Sequence, residues 1–183
     1  MRNIKFLLPV LFIINSTVKV NAQNEITVPI DPVTKMITYE EVVKETGTKD
    51  ELYDRCVKWF NSFYKNITNV TKVQNKLEGR IEGAHRFKIY DFDNKGGKTD
   101  AGLVNYSIKI AFKDGKYKYT ITDISWKQTS HFPAERWLDK KAPSYSAKYE
   151  SYLQQTDNEI KKIIDSLKNG MKPKQEKNNN EEW

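Results

Sequence analysis

Hydrophobic positions along this chain follow two periods, one of two residues through its middle and one near 3.6 residues in two flanking segments. Val104, Tyr106, Ile108, Ile110 and Phe112 alternate with Asn105, Ser107, Lys109 and Ala111, and Tyr117, Tyr119 and Ile121 alternate with Lys118, Thr120 and Thr122. Alternation gives each strand one apolar and one polar face. Asp114-Gly115 lies between the two runs, and Asp-Gly in that position signals a two-residue hairpin. The register this predicts sets Phe112 beside Tyr117, Ile110 beside Tyr119 and Ile108 beside Ile121, while Lys109 meets Thr120 and Ser107 meets Thr122. Beyond Ile121 the apolar positions change parity to Ile124 and Trp126, which a β-bulge near Asp123 explains.

The helical period appears twice. Thr48 and Glu51 form a capping box, and Leu52, Cys56, Trp59, Phe60 and Phe63 then line one face of the helix it starts. Residues 144–168 form the second helix, with Tyr149, Leu153, Ile160, Ile163, Ile164 and Leu167 as its stripe. An extended entry over 28–32 leads to a strand over 36–43, rich in Ile, Val, Tyr and Thr. A weaker strand over 69–77 and a turn at Leu77-Glu78-Gly79 precede a long strand over 80–91. There Phe87 and Ile89 point one way and Arg86, Lys88 and Tyr90 the other. Residues 92–101 and 128–143 read as loops. The order β-α-β-β-β-β-α predicts an α+β two-layer sandwich, with both helices on the apolar face of an antiparallel sheet.

The ends have a different character. Arg2 and Lys5, the apolar run 6–14 and the small residues of Val20-Asn21-Ala22 have the form of a secretory signal cleaved after Ala22. Residues 23–168 then form the single domain, and the polar segment 169–183 is a tail expected to lack order. Charge acquires a new meaning from this division. The chain carries 31 basic and 24 acidic residues. Removal of Arg2, Lys5 and Lys19 leaves 28 basic against 24 acidic residues, a net +4 of ordinary size for a soluble domain. A periplasmic or secreted protein, with no transmembrane segment after cleavage, is expected, and nucleic acid is not the expected partner.

The chemistry is sparse. A single Cys excludes an intrachain disulfide framework, and Cys56 falls inside an apolar stripe, as a small buried residue. His85 and His131 are the only histidines, without metal-ligand spacing. The segment starting at Asp91 begins like a calcium loop but has Lys95 at its fifth position and Gly102 at its twelfth, so it reads as a turn. No catalytic, cofactor or metal residues are assigned, and no cofactor is expected. Two surfaces remain for binding. Arg86, Lys88, Lys109, Lys118, Thr120 and Thr122 form a basic, hydroxyl-rich sheet face, which serves either as a solvated surface or as a contact for an anionic partner. His131, Phe132, Arg136 and Trp137 form an aromatic loop, with Trp137 either part of that contact or a cap on the core.

The segment Pro29-Ile30-Asp31 through Thr38-Tyr39, the Trp59-Phe60 pair and the hairpin from Ile110 to Tyr117, continuing to Thr122-Asp123-Ile124, resemble a family of secreted bacterial domains of unknown function. Its members, common in the Bacteroidetes lineage, have a TATA-binding-protein-like (TBP-like) fold. The resemblance spans residues 28–168 and implies that fold and an envelope or secreted location. It brings no catalytic residues, and a TBP-like fold does not entail DNA binding, because function belongs to the site and not the scaffold. The expectation is therefore a non-enzymatic binding or structural module with an envelope protein or anionic polysaccharide as partner. A nucleic-acid-binding module using the basic face and a hydrolase of a new type are the alternatives.

Overall fold

The computed structural model describes residues 26–127 and 131–173. The expected signal and its cleavage site, and the tail from residue 174, lie outside the described residues. Six strands form one antiparallel sheet: β1 (Tyr39–Lys44), β2 (Thr71–Asn75), β3 (Arg80–Phe92), β4 (Lys98–Lys113), β5 (Lys116–Lys127) and β6 (His131–Pro133). Their order across the sheet is β1-β5-β4-β3-β2, with β6 also pairing with β5. Helices α1 (Lys49–Phe63) and α3 (Lys148–Met171) pack on one face and on each other, while the four-residue α2 (Ile67–Val70) links α1 to β2. The α+β two-layer sandwich is present, with three short elements, α2, β6 and a 3-10 helix, added to the expected order.

The central hairpin has the register that its sequence dictates. Phe112 pairs with Tyr117, Ile110 with Tyr119, Ile108 with Ile121, Lys109 with Thr120 and Ser107 with Thr122. The register then shifts by one residue between Ser107 and Asn105, because Asp123 adopts φ 55° and the extra residue returns Ile124 to the core side. A bulge thus keeps both ends of β5 apolar toward the helices.

Local chemistry starts and ends the elements. Thr48 and Glu51 form both bonds of the capping box on α1, and the Asp114 carboxylate accepts the Lys49 N–H at 2.7 Å. A carboxylate at a helix N-terminus also meets the positive end of the helix dipole. The turn before β4 is shorter than expected, since Phe92 already pairs with Lys98. Asp93 Oδ1 builds it, accepting the N–H groups of Lys95 and Gly97 at 2.8 and 2.7 Å. Asp93, the third position of the calcium-like segment, is thus occupied by the backbone.

Three boundaries differ from the sequence pattern. Strand β1 begins at Tyr39 rather than residue 36, because Asp31 closes a tight turn through Val33 and Thr34 and Lys35 takes φ 61°. Helix α3 begins four residues late and continues to Met171, whose side chain is 0% exposed. The expected tail therefore loses its first residues to the domain. Arg55 Nη1 bonds the Met171 carbonyl at 3.2 Å and anchors that end of the helix. The loop over 128–143 contains β6 and a 3-10 helix (Ala134–Leu138), which put Phe132 and Trp137 against the core.

The core lies between the layers. Leu52, Cys56, Trp59 and Phe60 of α1 and Leu153, Ile160, Ile163 and Leu167 of α3 cover Ile81, Ile89, Val104, Ile108, Ile110 and Ile121 of the sheet. Each fully buried aliphatic side chain contributes about 1.5–3 kcal/mol from burial. Among the described residues, the other sheet face carries no helix.

Candidate functional site

The uncovered face presents the residues that strand alternation assigned to it. Arg86, Lys88, Lys109 and Lys118 are exposed, and Thr120 and Thr122 are half-buried between strands. Cross-strand pairing places Lys109 between Glu82 and Thr120, and Arg86 beside Asn105. The face is less basic than its sequence implies. Lys118 pairs with Glu40 at 2.7 Å and Lys88 with Asp100 at 2.6 Å. Arg80 reaches both Glu78 at 2.7 Å and Glu82 at 3.5 Å. Hydrogen bonding to Lys118 holds the Glu40 carboxyl below its ordinary pKa, with burial opposing and Thr120 adding to the effect. Among the described residues, Arg86 and Lys109 form no ion pair. Thr120, the cross-strand partner of Lys109, donates its hydroxyl to Glu40 at 2.9 Å, and Thr122 Oγ1 lies 3.0 Å from Thr38 Oγ1.

The aromatic loop does not present one contact surface. Trp137 is 1% exposed and sits in a cluster with Trp126, Tyr149 and Tyr152. It is a core residue, because the 3-10 helix turns it beneath the sheet's end. Phe132 is half-buried against Trp126 and Tyr149, and the exposed Arg136 guanidinium covers its ring at 5.3 Å. Arg136 and the rim of Phe132 are open. The backbone of His131 pairs with Lys127.

A groove that the sequence pattern did not reveal lies where β2 parts from β3. Strand pairing between them ends at Gly83, and the chain of α2 passes over the gap. Gly83 permits that approach, since a Cβ there would stand 3.2 Å from both Phe60 and the Val70 carbonyl. The resulting groove of about 760 Å³ is bordered by Phe63, Lys65, Asn69, His85, Arg86 and Asn105. Tyr64 lines it as well, and its hydroxyl lies 3.0 Å from that of the buried Tyr106. The His85 ring leans on Tyr64 with centroids 5.0 Å apart. Burial, and then the charge of Arg86, lower the imidazole pKa below its ordinary value. Alternation placed Arg86 on the open sheet face, and nothing in the sequence spacing connects residues 63–70 with His85 and Arg86.

Cys56 is 0% exposed and burial pushes its thiol well above the usual range, so it is neither a thiolate nucleophile nor a metal ligand. Among the described residues no three His, Cys, Asp or Glu side chains converge on a metal site. No described helix is long and apolar enough to cross a membrane.

Comparison with known proteins agrees with this architecture. The chain is similar to a TBP-like protein from Parabacteroides distasonis at 15% identity, covering 79% of this chain and 96% of that one, with a TM-score of 0.63. A DUF4468 family protein from Bacteroides ovatus matches at 18% identity over 79% of this chain and 90% of its own, also with a TM-score of 0.63. At these identities the likeness concerns the fold. No curated protein matches the sequence. Residues 39–127, from the first strand through the bulged β5, match the family model described as a domain of unknown function (DUF4468) with TBP-like fold.

Proposed function

We propose that the protein is an exported, non-catalytic binding module of the bacterial envelope whose open sheet face receives an anionic polysaccharide. The observation that carries this reading is the position of Arg86 and Lys109, exposed and without ion pairs among the described residues, on a face lined by Ser107, Thr120 and Thr122. Hydroxyls donate and accept, as the hydroxyls of a sugar chain require, and unpaired cations favour its carboxylates or sulfates. Support for a non-catalytic role comes from Cys56, buried and protonated, and from His85, which among the described residues has no carboxylate to orient it as a base. Export rests on the leader pattern of residues 1–22.

Calorimetric titration of the protein with a polyuronate tests the binding role. Saturable binding is expected, and Lys109→Glu weakens it by about tenfold through loss of a charge-assisted contact. Tight, steeply salt-dependent binding of duplex DNA with indifference to the polyuronate would replace this reading with a nucleic-acid one. Mass spectrometry of protein recovered from the bacterial envelope is expected to find Gln23 as the first residue.

A further inference from the structure

The groove at the β2–β3 divergence has a lining unlike the rest of the surface. Lys65 and Arg86 border it, and no Asp or Glu lines it. Lys65 and Arg86 form no ion pair among the described residues, whereas Lys76, Arg80, Lys88, Lys118 and Lys148 all do. Behind Tyr64, the charge of Glu159 on α3 acts on the buried Tyr106, and Glu159 is ion-paired to Lys162 at 3.3 Å. The groove is therefore complementary to an anion.

Three further features narrow the ligand. Asn66, Asn69 and Asn105 line the same space; the Asn66 and Asn69 carboxamides offer donors and an acceptor, while Asn105 Nδ2 already donates to the Ser125 carbonyl at 3.5 Å. Phe63 is 37% exposed at the rim; its ring stacks on Trp59 at 5.1 Å, and it is positioned to offer an apolar surface to the groove. Tyr64 and Tyr106 share a single hydrogen bond between two buried hydroxyls, so one phenolic hydrogen has no acceptor on the described protein. Carboxamides that answer hydroxyls, an aromatic ring that takes a C–H face and a pair of cations define one chemical class.

We infer that this groove is a binding site for an acidic monosaccharide unit, a pyranose bearing a carboxylate or a phosphate. Lys65 and Arg86 hold the anionic group, Asn66 and Asn69 read ring hydroxyls, and Phe63 packs on the apolar face of the ring. His85, kept neutral at neutral pH by its surroundings, adds a hydrogen bond without adding charge. The site goes beyond the sheet-face reading; the two meet only at Arg86 and Asn105, so variants at Lys65 and Asn69 separate them.

Amide chemical shifts of the isotopically labelled full chain, followed during titration with galacturonate and separately with glucose 6-phosphate, test the site. Glucose and inorganic phosphate serve as single-feature controls. Saturable shifts confined to residues 63–70 and 83–86 are expected with at least one acidic sugar, and each control binds at least about tenfold more weakly. The stronger of the two sugars identifies the anion. Lys65→Gln and Asn69→Ala, both at exposed positions, each weaken binding by about tenfold with an unchanged melting temperature, while Lys109→Glu leaves it unchanged. Absence of saturable shifts overturns the proposal, as does phosphate alone binding as tightly as the sugar phosphate, or glucose as tightly as the uronate.

Discussion

Tyr39 Oη donates a hydrogen bond to Asp157 Oδ1 at 2.9 Å, joining the first residue of β1 to the middle of α3. Asp157 is 3% exposed, and Lys161 Nζ bonds its other oxygen at 2.6 Å. Burial and then the Asp157 charge raise the Tyr39 pKa far above the ordinary phenol value, which keeps the proton on the donor. The bond ties an edge strand to the helical layer with a charge-assisted contact. Tyr39→Phe leaves a buried carboxylate oxygen without its donor, and is expected to cost about 2 kcal/mol in urea denaturation. A loss under about 0.5 kcal/mol would mean that water replaces the phenol.

Gly170→Ala sets two effects against each other. Alanine favours a helix over glycine by about 1 kcal/mol. A Cβ at residue 170, however, would stand 2.6 Å from Trp59 Cδ1 and 2.9 Å from Cγ. Trp59 is fixed by its indole hydrogen bond to Ser166 Oγ at 3.0 Å, so α1 and α3 must separate. The steric term wins. A net destabilisation of about 1–3 kcal/mol and a lower melting temperature are expected.

Asp91 predicts an acid-dependent contribution. Lys148 Nζ and Tyr152 Oη each bond its carboxylate at 2.7 Å. These contacts, Lys148 first, hold its pKa below the ordinary aspartate value. A carboxyl whose folded pKa is depressed stabilises the fold above its unfolded pKa of about 3.9, and that stability disappears as pH falls through the lower folded value. Asp91→Asn is expected to flatten the fall of stability below about pH 4 and to lower stability near neutrality. Denaturation midpoints from pH 7 to pH 2 for both proteins test this.

Cys56 makes a kinetic probe. With its side chain buried and its thiol protonated, the native protein is expected to resist a thiol reagent at pH 8 and to be modified only when it unfolds. The labelling rate should therefore increase with urea in step with unfolding. Rapid labelling of the native protein would show that α1 detaches locally.

The most legible parts of the molecule are those whose determinants are contiguous. The β4–β5 register follows from one turn dipeptide and two alternating runs, and even its bulge shows as a change of parity. The start of α1 is legible because both capping residues stand three apart. Contacts between distant segments are different. Asp114 caps α1 from 65 positions away, and Gln155 bonds both the N–H and the carbonyl of Tyr90 at 2.9 and 2.8 Å where β3 is irregular. Neither role has a local signature. The 3-10 helix that buries Trp137 follows no period, so a core residue looked available for contact.

The candidate sites divide along the same line. Alternation alone was enough to place Lys109, Lys118, Thr120 and Thr122 on one face, because side-chain direction in a strand depends only on parity. Which of those cations stay unpaired depends on the neighbouring strand. Lys118 is neutralised only because β1 docks antiparallel on β5 and brings Glu40 beside it. The groove at His85 needs the divergence of β2 from β3 and the passage of α2 across it, and these follow from packing. By itself the sequence determined the fold class, the central register and the polarity of each face, since all three arise from local period and turn chemistry. Only the tertiary structure decided which charges remain free and where the surface opens, since both depend on distances between segments that folding alone brings together.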